Sequence, residues 1–336
     1  MRNNGMVKRL NCLLAGLFIT GGVLAATTVK QEPNFEAGKR AYEASEYRNA
    51  ILALQAAAAK EPQNGDVQLL LAKSYLELEE HDPAIKTAER AVAIDPQNSV
   101  YHEWLGRAYG EKADKVGWPP SKISLAKKAG KEFEAAVQLD ARNYSARQVL
   151  IELDCSAPGM LGGGEEKALP HIKQLAEMDA AEGHFAAGNC RRQKNDFATA
   201  DEEFTKALQS HPKSAELIYD IGDYAAKHSQ PERLEAVADT GERVAPGDPR
   251  AKFYRGVALV LKKANPEEAE RLLREYASKA PVRSGYPRPA TAHAWLGRLY
   301  EGQNKMEEAE KEFEMARKLD PKNKLAQEGL KRLKKG

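Results

Sequence analysis

The sequence predicts an all-α protein, an α-solenoid of stacked helix-turn-helix repeats, and three observations predict it. Ala, Leu, Glu, Lys and Arg recur through a 336-residue chain with few Val or Ile runs, a bias that favours helix on intrinsic propensity. The stretches HEWLGRAYG (102–110) and HAWLGRLYE (293–301) nearly coincide, which marks an internal repeat. Gly38, Ala72 and Gly106 stand 34 residues apart and set its period.

The N-terminus stands outside this pattern. MRNNGMVKR carries Arg2, Lys8 and Arg9 with no acid, and LNCLLAGLFITGGVLAA then runs apolar to small residues. That order is expected of a secretory signal peptide over residues 1–25, cleaved after Ala25 or Ala26. The apolar run is shorter than the roughly 20 residues a spanning helix needs, so an uncleaved anchor is the lesser alternative. Cys12 precedes the apolar run instead of ending it, which is not the place of a lipoprotein acceptor. Without this segment the 51 basic residues fall by three, to 48 against 49 acidic. A neutral chain with no basic block interleaved with aromatics excludes a nucleic-acid footprint, and no later segment is apolar enough to span a membrane. The expected location is exported, in a periplasm or an equivalent compartment, which permits a disulfide between the two remaining cysteines, Cys155 and Cys190. Two buried free thiols are the alternative.

The repeat template is a small residue, an aromatic or Leu three later, Ala nine further on, an aromatic or Leu four later, Ala three later and Pro five later. Gly38, Ala41, Ala50, Leu54, Ala57 and Pro62 form copy one (31–64); Ala72, Tyr75, Ala84, Ala88, Ala91 and Pro96 form copy two (65–98). In copy three (99–143) Gly106 and Tyr109 are followed by Ala129, Phe133 and Ala136 eleven residues late, which places an insertion at 110–122 around KADKVGWPPSK. Copy four (144–180) departs most, with Ile151 and Asp154 in the small and aromatic places and a glycine-rich loop at 157–164. The phase returns in copy five (181–214, Gly188, Phe204, Pro212), copy six (215–248, Gly222, with Leu234 in place of Ala) and copy seven (249–283, Gly256, Leu273, Pro281). A further insertion, 282–289, precedes copy eight (290–323), which reads Trp295, Leu296, Gly297, Tyr300, Ala309, Phe313, Ala316 and Pro321. Residues 324–336 are a polar closing helix of the kind solenoids require. The small residue lets helix A of a copy approach its helix B, and the proline ends helix B. One copy cannot bury its apolar face alone, so neighbours share a core.

These copies resemble the tetratricopeptide repeat, which implies a right-handed superhelix from about Gln31 to Asn323. The resemblance also implies that helices A line a concave groove in which a peptide or protein partner lies. It nominates the residue after the small one, Lys39, Lys73, Arg107, Asn189, Asp223 and Arg298. One turn earlier on that face come Phe35, Leu69, Glu103, Phe185, Tyr219 and Phe253. The groove is then expected to begin basic and to become aromatic toward its middle, with Lys39, Lys73 and Arg107 pairing with acidic side chains or a terminal carboxylate. The alternative is an ordinary solvated face balanced by Glu32, Glu43, Glu77 and Glu111. The asparagines of the family's carboxylate-binding pattern are missing beside the lysines.

Other chemistries fit poorly. APGMLGGGEEKAL (157–169) has three glycines before a lysine, but a phosphate cradle needs lysine directly after the last glycine, and Gly164 is followed by Glu165 and Glu166. By register it is a lengthened turn, with both acids in the first turn of the next helix. Cys155, His171, His184 and Cys190 lack metal-ligand spacing, and no nucleophile motif is present. His102, His184 and His293 hold one place in three copies, which marks a packing position. No metal, cofactor or catalytic residue is expected. The expected role is a non-enzymatic, exported adaptor. The alternatives are an accessory or catalytic solenoid acting on envelope polymers, with chemistry at Trp118, Tyr286 and the other insertions, and a self-associating array.

Overall fold

The structure, a computed structural model, describes residues 35–156 and 164–334. The signal segment, TTVKQEPN (27–34) and most of the glycine-rich loop lie outside the described residues. Every described element is a helix, and all pack in chain order. Helices α1 (Phe35–Glu43), α2 (Tyr47–Lys60), α3 (Gly65–Glu77) and α4 (His81–Ile94) form two pairs, followed by α5 (Ser99–Lys115) and α6 (Pro119–Leu139). Then come α7 (Tyr144–Ser156), α8 (Glu165–Met178), α9 (Ala180–Gln193), α10 (Phe197–Gln209), α11 (Ala215–Lys227) and α12 (Pro231–Val244). Helices α13 (Pro249–Lys262), α14 (Pro266–Lys279), α15 (Pro289–Gly302), α16 (Met306–Leu319) and α17 (Lys324–Leu333) complete the solenoid.

Local chemistry sets these boundaries. Helices A start at short polar residues whose side chains accept backbone N–H groups, such as Asn64, Asn98, Asp179, Ser214 and Asp248. The turn from A to B passes through a left-handed residue seven after the small template residue, at Ser45, Glu79, Asn195, Ser229, Lys263 and Asn304, and copy seven adds a second at Asn265. Copy three, whose longer helices leave only Val116, Gly117 and Trp118 in the turn, has no left-handed residue there.

Packing explains the template. A Cβ on Gly297 would lie 2.5 Å from the Phe313 ring, so helix A can meet helix B only where the A residue has no side chain. Leu54, Phe133, Phe204 and Leu273 face Gly38, Gly106, Gly188 and Gly256 in the same way. Copy six swaps the sizes: Leu234 takes an alanine place, Ala238 the bulky place, and Tyr254 of the following copy covers Gly222. The equivalent histidines bond helix B within their own copies, His102 to Glu132 (2.7 Å), His184 to Glu203 (2.8 Å) and His293 to Glu312 (2.7 Å).

The insertion at 110–122 is not the loop its Trp-Pro-Pro sequence suggests. Lys- and Ala-rich flanks extend α5 and α6 to 17 and 21 residues, with Pro119 in the first turn, and only Val116, Gly117 and Trp118 remain between them. Cys155 at the end of α7 and Cys190 in α9 are disulfide-bonded, with Cα atoms 5.4 Å apart, so copies four and five are covalently joined beside the lengthened turn. Gly164 closes that turn with φ 131° and donates its N–H to the Asp154 carbonyl. Glu165 then faces Arg191 and Lys194, and Lys167 faces Asp154, so these charges pair internally.

Candidate peptide-binding groove

Helices A form the inner side of the curve. Helix A of one copy touches helix A of the next at α1 with α3, α3 with α5, α7 with α9, α11 with α13 and α13 with α15, while B-to-B contact of this extent occurs at α10 with α12. The inner surface is therefore made by residues of α3, α5, α7, α9, α11 and α13.

At its N-terminal end three side chains form one unit. The Lys73 ammonium lies 4.3 Å from the centre of the Trp104 ring, and the Arg107 guanidinium lies 5.3 Å from the same centre. Arg107 is held from below: its Nε donates to the buried Glu103 carboxylate at 3.0 Å, and its Nη2 donates to Ser145 Oγ at 2.6 Å. Ser145 in turn donates to Glu103 at 2.7 Å. Lys73 has no such partner, since among the described residues no carboxylate lies within 4.0 Å of its ammonium. Burial pulls its pKa below the ordinary lysine value, Glu103 opposing and Arg107 reinforcing the shift.

The middle of the groove is acidic. Glu152 of α7 lies 3.7 Å from Arg192 of α9, Glu182 accepts from Gln148, and Asp223 accepts from the Tyr254 hydroxyl at 2.7 Å. Burial raises the pKa of Glu152, Glu182 and Asp223. Asp220 keeps water at its surface but is crowded by protein on its other sides, and it is pushed up to about 7, first by that desolvation and then by Asp223 and Glu152. The folded chain thus keeps this proton to about pH 7, whereas the unfolded chain releases it near the ordinary 3.8. Stability from this group falls as pH rises through that window. Asp220→Asn should accordingly melt with the wild type near pH 4 and above it near pH 8 (the two ends of that window), and carboxyl NMR of the wild type should titrate with a midpoint near 7. An ordinary midpoint would remove this reading.

The structure corrects part of the expected lining. Lys39 is exposed, Lys73, Arg107, Phe35 and Arg298 are partly exposed, and Arg298 stacks on Trp295 at 5.1 Å. Phe185, Tyr219, Phe253 and Asn189 are buried, with Tyr219 and Phe253 only 1% exposed, and give a partner no surface. The cause is packing between copies: Phe185 meets Phe204, Tyr219 stacks on Tyr254, and Phe253 meets Tyr276. The aromatic middle is core, and Asp220, Asp223 and Glu152 replace it at the surface. Glu152 follows Ile151 as Lys73 follows Ala72, so the template pointed to it; the poor match of copy four hid it. Trp104 and Asp220 share a place two residues before the small residue that sequence reasoning did not use.

Among the described residues no group of three or more His, Cys, Asp or Glu could hold a metal, and no helix is long and apolar enough to cross a membrane.

Family models described as tetratricopeptide repeat match residues 41–107, 219–284 and 261–324. No curated protein matches the chain in sequence. Among solved structures, a thermophilic tetratricopeptide repeat protein of Thermus thermophilus is 21% identical over 56% of this chain and 94% of its own, with a TM-score of 0.45. A tetratricopeptide repeat protein of Parabacteroides merdae is 13% identical over 89% of this chain and 96% of its own, with a TM-score of 0.43. The C-terminal part of a repeat protein from Cytophaga hutchinsonii is 17% identical over 88% and 99%, with a TM-score of 0.42.

Proposed function

Because the chain belongs to the tetratricopeptide repeat family, whose members are typically non-catalytic protein-binding scaffolds, we propose that it is an exported adaptor that holds an extended peptide segment along the inner face of the solenoid. One observation carries the reading: Lys73 is held over Trp104 beside Arg107 with no carboxylate of the described residues within 4.0 Å of its ammonium. A cation kept partly desolvated in a groove is a receptor for an anion, and an aromatic plane beside it adds an apolar contact. The partner segment accordingly bears an acidic residue next to an apolar one. The carboxylates of Glu152, Asp220 and Asp223 further along the same face favour a basic residue following it.

Export is part of the proposal. It is supported by the cationic then apolar N-terminal sequence, and by the Cys155 to Cys190 bond, which persists in an oxidising compartment.

Selection from a random peptide library displayed on phage tests the binding mode. Peptides retained by the wild type should be enriched in Asp or Glu beside an apolar residue. A folded Lys73→Glu/Arg107→Glu variant should bind the selected peptides at least about tenfold more weakly, the scale for losing a partly desolvated charge pair. Selection of peptides with no acidic preference, or equal binding by the variant, would remove the reading.

A further inference from the structure

The connection between α14 and α15 does what no other described loop does: it joins parts of the chain more than 200 residues apart. The Tyr47 hydroxyl on α2 donates to the Val282 carbonyl at 3.1 Å, across 235 positions. The Ser284 backbone N–H and hydroxyl both donate to Glu77 on α3, at 3.0 and 3.2 Å. Arg283 lies near enough to the Tyr42 and Tyr47 phenols to act on them electrostatically, against the larger effect of their burial. The solenoid therefore curves until the segment after its seventh copy meets its first and second copies.

Its two attachments differ in kind. On the α13 side Arg250, only 3% exposed, lies 4.2 Å from the Tyr219 ring and 4.2 Å from the Tyr286 ring. It also donates to the Gly285 carbonyl at 3.1 Å, while Tyr276 donates to the Pro287 carbonyl at 2.7 Å. On the α2 and α3 side there are three hydrogen bonds, and Val282 stays 58% exposed beside them. Water can replace each of those three bonds, so this attachment yields first. Glu77 stands one helical turn after Lys73, on the same face of α3.

We propose that Pro281–Arg288 is a hinged strap, fixed at Arg250 and Tyr286 and latched on Tyr47 and Glu77, that closes the inner channel and limits access to Lys73, Trp104 and Arg107. The inference concerns access alone and stands whether or not a peptide is the ligand.

The test uses the full chain with Cys12→Ser, so that no free thiol remains beside the native disulfide. Lys73 is acetylated with sulfo-N-hydroxysuccinimide acetate, and its rate is compared by mass spectrometry with that of Lys86, which is exposed on α4 of the outer face. Spin labels at Arg48→Cys and Val282→Cys, both exposed positions, report the strap directly through electron dipolar spectroscopy. In the Tyr47→Phe/Glu77→Ala variant the short spin-to-spin distance should give way to a broad, longer distribution, and the Lys73 to Lys86 rate ratio should rise several-fold. Glu77→Ala alone, which removes no core atom, should move both readouts in the same direction. An unchanged distance distribution would show that repeat curvature alone closes the channel; a released strap with an unchanged Lys73 ratio would show that the strap covers nothing. Either result overturns the proposal.

Discussion

Arg250→Ala should destabilise the folded chain by about 3–5 kcal/mol, the scale for removing one partner of a buried charge pair. Arg250 donates to both Asp248 carboxylate oxygens, its Nη2 at 2.7 Å from Oδ2. Burial works against the guanidinium charge, and Asp248 more than offsets it, so the pKa of Arg250 is raised above the ordinary arginine value. Alanine would leave Asp248, with a side chain 9% exposed, without its counter-charge. It would also take the cation from between the Tyr219 and Tyr286 rings and the donor from the Gly285 carbonyl. Arg250→Lys should fall between the two, because it keeps the charge but loses the planar fork that grips both oxygens. Chemical denaturation of the three proteins measures the difference, and hydrogen exchange over residues 282–286 should quicken in Arg250→Ala. A loss below about 1 kcal/mol, the range of exposed ion pairs, would mean that Asp248 is adequately solvated without its partner.

The second large effect is covalent. Cys155→Ala/Cys190→Ala should cost about 4 kcal/mol, the chain-entropy value for a loop closed over a separation of 35 residues. The loss should be local. In a solenoid each copy packs chiefly on its neighbours, and here only three hydrogen bonds of the 281–288 segment reach further among the described residues, so weakening the joint between copies four and five uncouples the two halves instead of lowering one global transition. Calorimetry of the wild type should show one dominant transition that splits or broadens in the variant, and a reducing agent should reproduce the effect on the wild type. Coincident melting profiles would show that helix packing across α7, α8 and α9 suffices alone.

Much of the architecture was legible because its causes are local. Proline two residues after each of most helices B, an Asn, Asp or Ser before helices A and a small residue facing a large one are decided within about twenty positions of one another. Lys73 and Arg107 were legible for the same reason: in copies two and three the residue after the small one keeps its side chain partly exposed, whereas the equivalent Asn189 is buried. The extra residues of copy three lengthen α5 and α6 instead of forming a loop, because the helical propensity on either side of Trp118, Pro119 and Pro120 outweighs the break these three make.

The misplaced residues share a different cause. Whether Phe185, Tyr219 or Phe253 reaches the groove depends on how far one copy is rotated on the next, and that rotation is set by many side chains at once. The size swap of Leu234 and Ala238 shows how such a change is absorbed by the following copy, through Tyr254. No single position announces it.

The sequence by itself determined the helices, their pairing, the period and the basic beginning of the inner face, since each follows from nearest-neighbour packing repeated along the chain. Only the tertiary structure decided that the aromatic middle is core, that Asp220 stands near Asp223 and Glu152, which with burial raise its pKa, and that Val282 and Ser284 meet Tyr47 and Glu77. Small rotations between copies add up over the whole solenoid, and their sum, which no local pattern encodes, brings its two ends together.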